Sequence, residues 1–252
     1  MHKNADSSPA ANSRGDLPDH LIKPIERGVL GSFLNWIGMT LTHIFIHLEG
    51  RGLENIPQQT PYVLASNHET FVDGMWIGSF LPRWQFKKYS CLAAQDLLTD
   101  YGVFGRIIMR VGRGIPLNRK GNPIRGLITA KKQVEDGNIL MVHPEGTRSH
   151  DGYLSEIQEG ACYIAKKARV PVVPVFIDGG YEIFNRYRKF PSWWDPGQKA
   201  RRRLIVRFGK PLYPDDYKNA REMTRALSDW MQQAFKEKEI PRDFGTASTA
   251  HT

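Results

Sequence analysis

Short apolar runs alternate along the chain with longer stretches whose apolar positions recur every three or four residues. Tyr62-Val63-Leu64-Ala65 and Ile139 to Val142 read as short buried strands. Lys88 to Ala94, Val172 to Ile177 and Leu204 to Phe208 also have strand pattern. Met75, Trp76, Ile77 and Phe80 belong to a helix ended by Leu81-Pro82. Tyr101 to Val111 is a second helix, broken by Gly112-Arg113-Gly114. Asn122-Pro123 opens a third, with Ile124, Leu127, Ile128 and Val134 on its inner face. Thr70-x-x-Asp73, Ser66-x-x-Glu69 and Ser155-x-x-Gln158 have capping-box spacing. A last helix is expected from Asp215 to about Lys238, with Met223, Leu227 and Met231 inward. Strand–helix alternation predicts an α/β fold: a single layered domain, its mostly parallel central sheet flanked by helices. In such sheets functional loops gather beyond the carboxyl ends of the strands.

The ends have a different pattern. Residues 1–20 carry no apolar periodicity and are expected to be a disordered tail, without the pattern of a secretory signal. Between Arg27 and Glu49 there is no Lys, Arg, Asp or Glu. Leu30, Phe33, Leu34, Ile37, Leu41, Ile44 and Phe45 follow helical spacing there. The preferred reading is an apolar amphipathic helix over 21–44 that lies in the membrane interface through residues such as Phe33 and Trp36. A span and a core-packing helix are the alternatives. The main domain then runs over 45–240, and 241–252 form a loose end.

The chain has 252 residues and a formal net charge of +9. That length suits one domain with a sizeable core, and the charge calls for an anionic partner. The two cysteines stand in unlike contexts, which argues against a disulfide framework. There is no CxxC, and no metal site is expected. Tyr181 to Arg203 interleaves arginines with Phe184, Tyr187, Phe190, Trp193 and Trp194. With Arg201 and Arg202, the two tryptophans suit an anionic membrane surface, since Trp193-Trp194 needs an apolar place. No nucleic-acid signature accompanies these cations, so no nucleic-acid partner is expected.

Candidate chemistry lies in two stretches that directly follow predicted strands. The first is Ser66-Asn67-His68-Glu69-Thr70-Phe71-Val72-Asp73. Five steps along one helix would put His68 and Asp73 roughly 140° apart. They meet if His68 lies in a loop and Asp73 just inside the next helix. A carboxylate at one ring nitrogen leaves the other free to take a proton from a hydroxyl. The second stretch is His143-Pro144-Glu145-Gly146-Thr147-Arg148-Ser149, a turn carrying an acid and a guanidinium. His143 is expected to be a strand-end residue and not a second base. No Gly-x-Ser-x-Gly supplies an enzyme nucleophile.

Asn67-His68-x-x-x-x-Asp73, Gly114-Ile115-Pro116-Leu117-Asn118-Arg119, Pro144-Glu145-Gly146-Thr147-Arg148-Ser149 and Val170-Pro171-Val172-Val173-Pro174-Val175 occur in this order. The chain thereby resembles the glycerolipid acyltransferases over roughly residues 45–212, best known from the 1-acyl-glycerol-3-phosphate acyltransferases. The resemblance implies a membrane-associated enzyme on the cytoplasmic side, peripheral or monotopic. It would transfer a fatty acyl group from acyl-CoA or acyl-carrier protein to the free hydroxyl of a lyso-phospholipid like lysophosphatidic acid, giving phosphatidic acid, with no other cofactor. His68 is then the base and Asp73 its orienting acid. Arg119 and Arg148 are candidate phosphate ligands, since a guanidinium fork matches phosphate. Glu145 and Thr147 fall near the acceptor, and Gly146 could offer its N–H to the oxyanion. In one departure, Gln158 stands where many members carry a lysine of the phosphate site, which leaves another lyso-lipid open as acceptor. A lipid-binding protein without activity is the alternative from a different class.

Overall fold

The computed structural model describes residues 23–119 and 124–242. The expected tail over 1–20, the Asn122-Pro123 helix start and residues 243–252 lie outside the described residues. In chain order the elements are α1 (Gly28–Phe45), β1 (His47–Arg51), β2 (Tyr62–Ser66), α2 (Asp73–Gly78), α3 (Arg83–Lys88), β3 (Tyr89–Ala94), α4 (Asp96–Thr99), α5 (Gly102–Val111), β4 (Ile115–Leu117), α6 (Ile124–Glu135) and β5 (Ile139–Val142). They continue with α7 (Gly160–Ala168), β6 (Val172–Asp178), α8 (Gly180–Phe184), the short strands β7 (Trp194–Asp195) and β8 (Ala200–Arg201), β9 (Arg203–Phe208) and α9 (Ala220–Lys236).

Seven strands form one sheet in the order β1-β9-β6-β2-β5-β3-β4. All neighbours are parallel except β6 and β9. Every residue of β2, β5 and β6 is buried. Their sequences are continuous apolar runs because helices cover both faces of the sheet. Tyr62 and Leu64 point to one face with Trp76, Met39 and Ile77. Val63 and Ala65 point to the other with Val134, Ile164, Met223 and Leu227. β2 and β5 are paired side by side in register, Tyr62 opposite Ile139. The two candidate stretches therefore leave the sheet at adjacent carboxyl ends.

Helix starts differ from the sequence reading. α2 begins at Asp73 and not at Thr70. Thr70 folds back instead: its Oγ1 accepts from the Val72 N–H at 3.0 Å and donates to Asp73 at 2.7 Å. Ser155 caps nothing, because its N–H is drawn to Glu145, and α7 starts only at Gly160. α9 starts at Ala220. Asn219 accepts from the Glu222 N–H at 2.9 Å while Glu222 accepts from the Lys218 N–H at 2.8 Å, a reciprocal cap. The inner face of α6 also differs. Gly126, Ala130 and Val134 are buried, while Ile124 and Ile128 are 60% and 61% exposed. A Cβ on Gly126 would lie 2.7 Å from Leu117, so the helix sits too close to β4 for large residues to face inward.

α1 packs through Gly31, Met39 and Thr42, which are buried, while Leu30, Phe33, Trp36 and Ile44 are exposed. Much of its large apolar surface thus faces away from the domain. Among the described residues no helix is long and apolar enough to cross a membrane. Arg27 pins the start of α1. Its Nε donates to Val111 O at 2.7 Å, its Nη1 to Phe86 O at 2.9 Å, and the guanidinium lies 3.8 Å from the Phe86 ring centre. Arg201 pins the other end by donating to His43 O and Ile44 O.

Candidate active site

The residues after β2 form a loop held from three sides by buried carboxylates. Asp73, fully buried, accepts from His68 Nδ1 at 2.9 Å, from the Glu69 and Thr70 N–H groups and from Thr70 Oγ1. Glu145, from the turn after β5, accepts from the His68 N–H at 2.7 Å and the Ser155 N–H at 2.8 Å. Glu69 reaches the other way, to the Tyr181 N–H at the start of α8. Asn67 explains its own identity. Its side-chain amide exchanges two hydrogen bonds with Ile177, extending the ladder where β2 leaves it. The Ser149 N–H donates to His68 O at 2.7 Å and joins the two turns directly.

Because a carboxylate only accepts, the His68 proton sits on Nδ1 and Nε2 keeps its lone pair. The ring is 20% exposed and opens into a cavity of about 400 Å³. Burial lowers the His68 pKa to about 3, assisted by the charges of Arg148 and Arg119. Burial raises the Asp73 pKa, against the hydrogen bonds from Thr70 and Glu69 that favour its charged form. Burial also pushes the Glu145 carboxyl up to about 7.

The cavity lining is of two kinds. His68, His143, Gly146, Arg119, Arg148 and Arg186 are among its polar residues, and Leu34, Met75, Cys91, Ile107 and Met109 among its apolar ones. Arg148 lies flat over Phe71, 3.5 Å from the ring centre, and its Nη2 is 3.5 Å from Tyr101 Oη. Its buried Nη1 has no hydrogen-bond partner among the described residues. Arg119 is more committed. It pairs with Asp96 at 3.1 Å and donates to Gly146 O. Thr147 lines the cavity beside Gly146.

Several expectations about single residues change. Glu145 accepts from two backbone N–H groups, those of His68 and Ser155, and so ties the turn after β5 to the His68 loop. The Gly146 N–H is spent on His143 O at 3.0 Å and is not offered to an oxyanion, while φ of +73° makes glycine the favoured residue there. Gln158 is exposed in a separate surface depression with Glu159 and Arg221, so its identity says little about the acceptor. Arg202 is buried at 7% exposure and donates to Ser192, so it is not presented to a surface. Trp193 and Trp194 are about half exposed, and Trp193 packs on Phe45 of α1 at 5.6 Å. Sequence reasoning missed Phe71 and Arg186 and set His143 aside. Phe71 was within the first motif, but only the fold brings it beneath Arg148.

His68, Asp73 and His143 also form a cluster with ligand-type atoms within 4.8 Å of one another. It does not suit a metal ion. Both Nδ1 atoms make hydrogen bonds, and the two rings are nearly parallel, so their lone pairs do not converge.

A mostly parallel α/β sheet thus brings a histidine–carboxylate pair and arginines to one cavity whose other lining is largely apolar. Residues 47–178 match the family model described as Acyltransferase. The chain is 28% identical over 163 residues to human 1-acyl-sn-glycerol-3-phosphate acyltransferase beta, covering 63% of this chain and 56% of that protein. It is 25% identical over 195 residues to the 1-acyl-sn-glycerol-3-phosphate acyltransferase of Bacillus subtilis, covering 75% and 87%. The crystal structure of the 1-acyl-sn-glycerophosphate acyltransferase PlsC from Thermotoga maritima shares the fold, with a TM-score of 0.68 at 22% identity, covering 86% of this chain and 83% of that one. The chain belongs to the acyltransferase family. It spans little more than half the length of the human and mouse relatives it matches.

Proposed function

We propose that this chain is an O-acyltransferase acting on a lysophosphatidic-acid-like lipid, with acyl-CoA or acyl-carrier protein as donor and phosphatidic acid as product. The observation that carries the reading is one cavity lined by His68, whose Nδ1 is held by a carboxylate, by Arg148 and Arg119, and by apolar side chains. The names of the relatives agree with it.

In this reading the acceptor phosphate meets the Arg148 guanidinium, with Arg119 beside it, and the apolar part of the lining takes an acyl chain. The acceptor hydroxyl gives its proton to His68 Nε2 as its oxygen attacks the thioester carbonyl. Asp73 stabilises the imidazolium as it forms. Collapse of the tetrahedral intermediate breaks the carbon–sulfur bond, and the leaving thiolate takes the proton back from His68. Phosphate binding also favours the base. Its negative charge offsets Arg148 and Arg119, two of the three causes that lower the His68 pKa. The exposed face of α1, with Phe33 and Trp36, continues through Phe45 to Trp193 and Trp194. That surface supports a peripheral or monotopic seat on the cytoplasmic side of an anionic membrane.

The test is transfer of radiolabelled acyl groups to a panel of lyso-lipids, with His68→Ala alongside. Label should enter phosphatidic acid, and the variant should lose about 10³-fold or more in rate. No product with any acceptor, from either donor, would leave a lipid-binding protein without activity. Wild-type rates in the variant would remove His68 from the chemistry.

A further inference from the structure

His143 directly follows β5, where the sequence suggests a residue with no chemical task. The structure places its ring flat against the base. The His68 and His143 ring centres are 3.7 Å apart and their planes differ by 10°. His143 Nδ1 lies 2.9 Å from Asn67 O and 3.2 Å from Ser66 O. Carbonyl oxygens only accept, so this nitrogen carries the proton and Nε2 keeps its lone pair. The two imidazoles therefore have the same tautomer, each fixed by its own acceptors. His143 takes its acceptors from the two residues that lead into His68, so it grips the loop and the ring together.

We propose that His143 is a positioning residue for His68: its neutral ring fixes the plane of the base and provides the face against which the imidazolium forms. The proposal rests on the reading of His68 as the base. A cation over an aromatic face in a desolvated site is favoured, and a flat neighbour at contact distance prevents the base from turning away from the acceptor. The charged groups around the pair are Asp73 at His68 Nδ1, Glu145 at the His68 N–H, and Arg119 and Arg148 across the cavity. A protonated His143 would add a second cation against the base and defeat it. Burial and His68 itself hold the His143 pKa at about 3, which keeps its ring neutral at working pH. His143 stacks on the ring of the base and takes no proton in the proposed step, so its contribution belongs to positioning.

Two variants of the full chain separate this from simple space filling. His143→Phe keeps a flat ring, and His143→Leu fills the space without one. Leucine should lower kcat roughly 10–100-fold and change KM for lysophosphatidic acid by less than about threefold. Phenylalanine should recover kcat to within about threefold of wild type. Equal rates in the two variants, whether both high or both low, overturn the proposal. If His68→Ala is inactive at the same time, the base assignment survives that failure; if His68→Ala is active, the base assignment itself falls. Nitrogen-15 NMR of histidine in the unmutated chain provides a check that needs no folded variant. Between pH 6 and 8 His143 should be neutral with its proton on Nδ1. A cationic ring, or one protonated on Nε2, overturns the proposal.

Discussion

The loop after β2 and the turn after β5 leave adjacent strands, carry the two key motifs and bond directly to each other, yet they are finished differently. Around His68 the polar groups are fully engaged: Asp73 alone takes four donors, and the base has one tautomer. Around Arg148 the guanidinium lies on a ring and keeps a buried nitrogen without a partner. Arg207 Nε and Arg242 Nη2 are likewise without a hydrogen-bond partner among the described residues, so that state does not by itself mark a ligand site. On the proposed function, the difference separates a preorganised proton acceptor from an anion clamp with donor capacity left to offer. Rigidity would serve the base because its geometry must be right at the transition state, and spare donors would serve the clamp.

The comparison breaks most sharply at Asp73. One oxygen, Oδ2, accepts from His68 Nδ1 and from the Glu69 and Thr70 N–H groups. In asparagine that position holds either the NH2, which faces three donors, or the oxygen, which keeps the tautomer but lacks the charge that stabilises the imidazolium. Asp73→Asn should lower kcat by about 10³–10⁴-fold with little change in KM. Steady-state kinetics check this, and a variant that keeps a tenth of the activity would show that the Asp73 charge does not support the base.

The open side gives a smaller and different effect. Lysine at 148 keeps the charge but loses the planar fork and the stack on Phe71. Arg148→Lys should reduce kcat/KM for lysophosphatidic acid by about 10–100-fold, mostly through KM. A monoacylglycerol acceptor, which has no phosphate, should be almost indifferent. Equal losses for both acceptors would mean that Arg148 holds the loop and not the anion.

What was legible in the sequence follows the range of the interactions. The buried strands could be read because burial on both faces leaves an unbroken apolar run. The two motif turns could be read because each follows such a strand within a few residues. The face of α6 was misread because close packing there selects glycine and alanine, which carry almost no apolar signal, and turns Ile124 and Ile128 outward. The outward apolar face of α1 reads the same as an inward one until its neighbours are known. Arg27 bonds a residue 84 positions away and Glu145 one 77 positions away, and no local pattern announces either. The cap at Asn219-x-x-Glu222 is different. It is local and was available, three residues from an apolar run.

Glu145 joins the two sides of the comparison, and its titration measures how tightly. Its pKa lies near 7 in the fold, above the ordinary carboxylate value of 4.5, because burial outweighs the two N–H bonds it accepts. A raised carboxyl pKa means that the folded state holds a proton that the unfolded chain has released. Stability attributable to this group is therefore greatest below about pH 4.5 and declines as pH rises to about 7. The full loss would be at most about 3 kcal/mol. Glu145→Gln cannot titrate, so the gap between variant and wild type should move in the variant's favour across that window and level off above it. At pH 8 the ionised side chain accepts from both His68 and Ser155, whereas glutamine has one acceptor oxygen. The variant should then be a few-fold slower while no less stable. Thermal melts at several pH values, paired with kcat at pH 8, test both halves. A gap independent of pH would mean that Glu145 is ionised throughout, and the turn after β5 would then hold the base by charge as well as by hydrogen bonds.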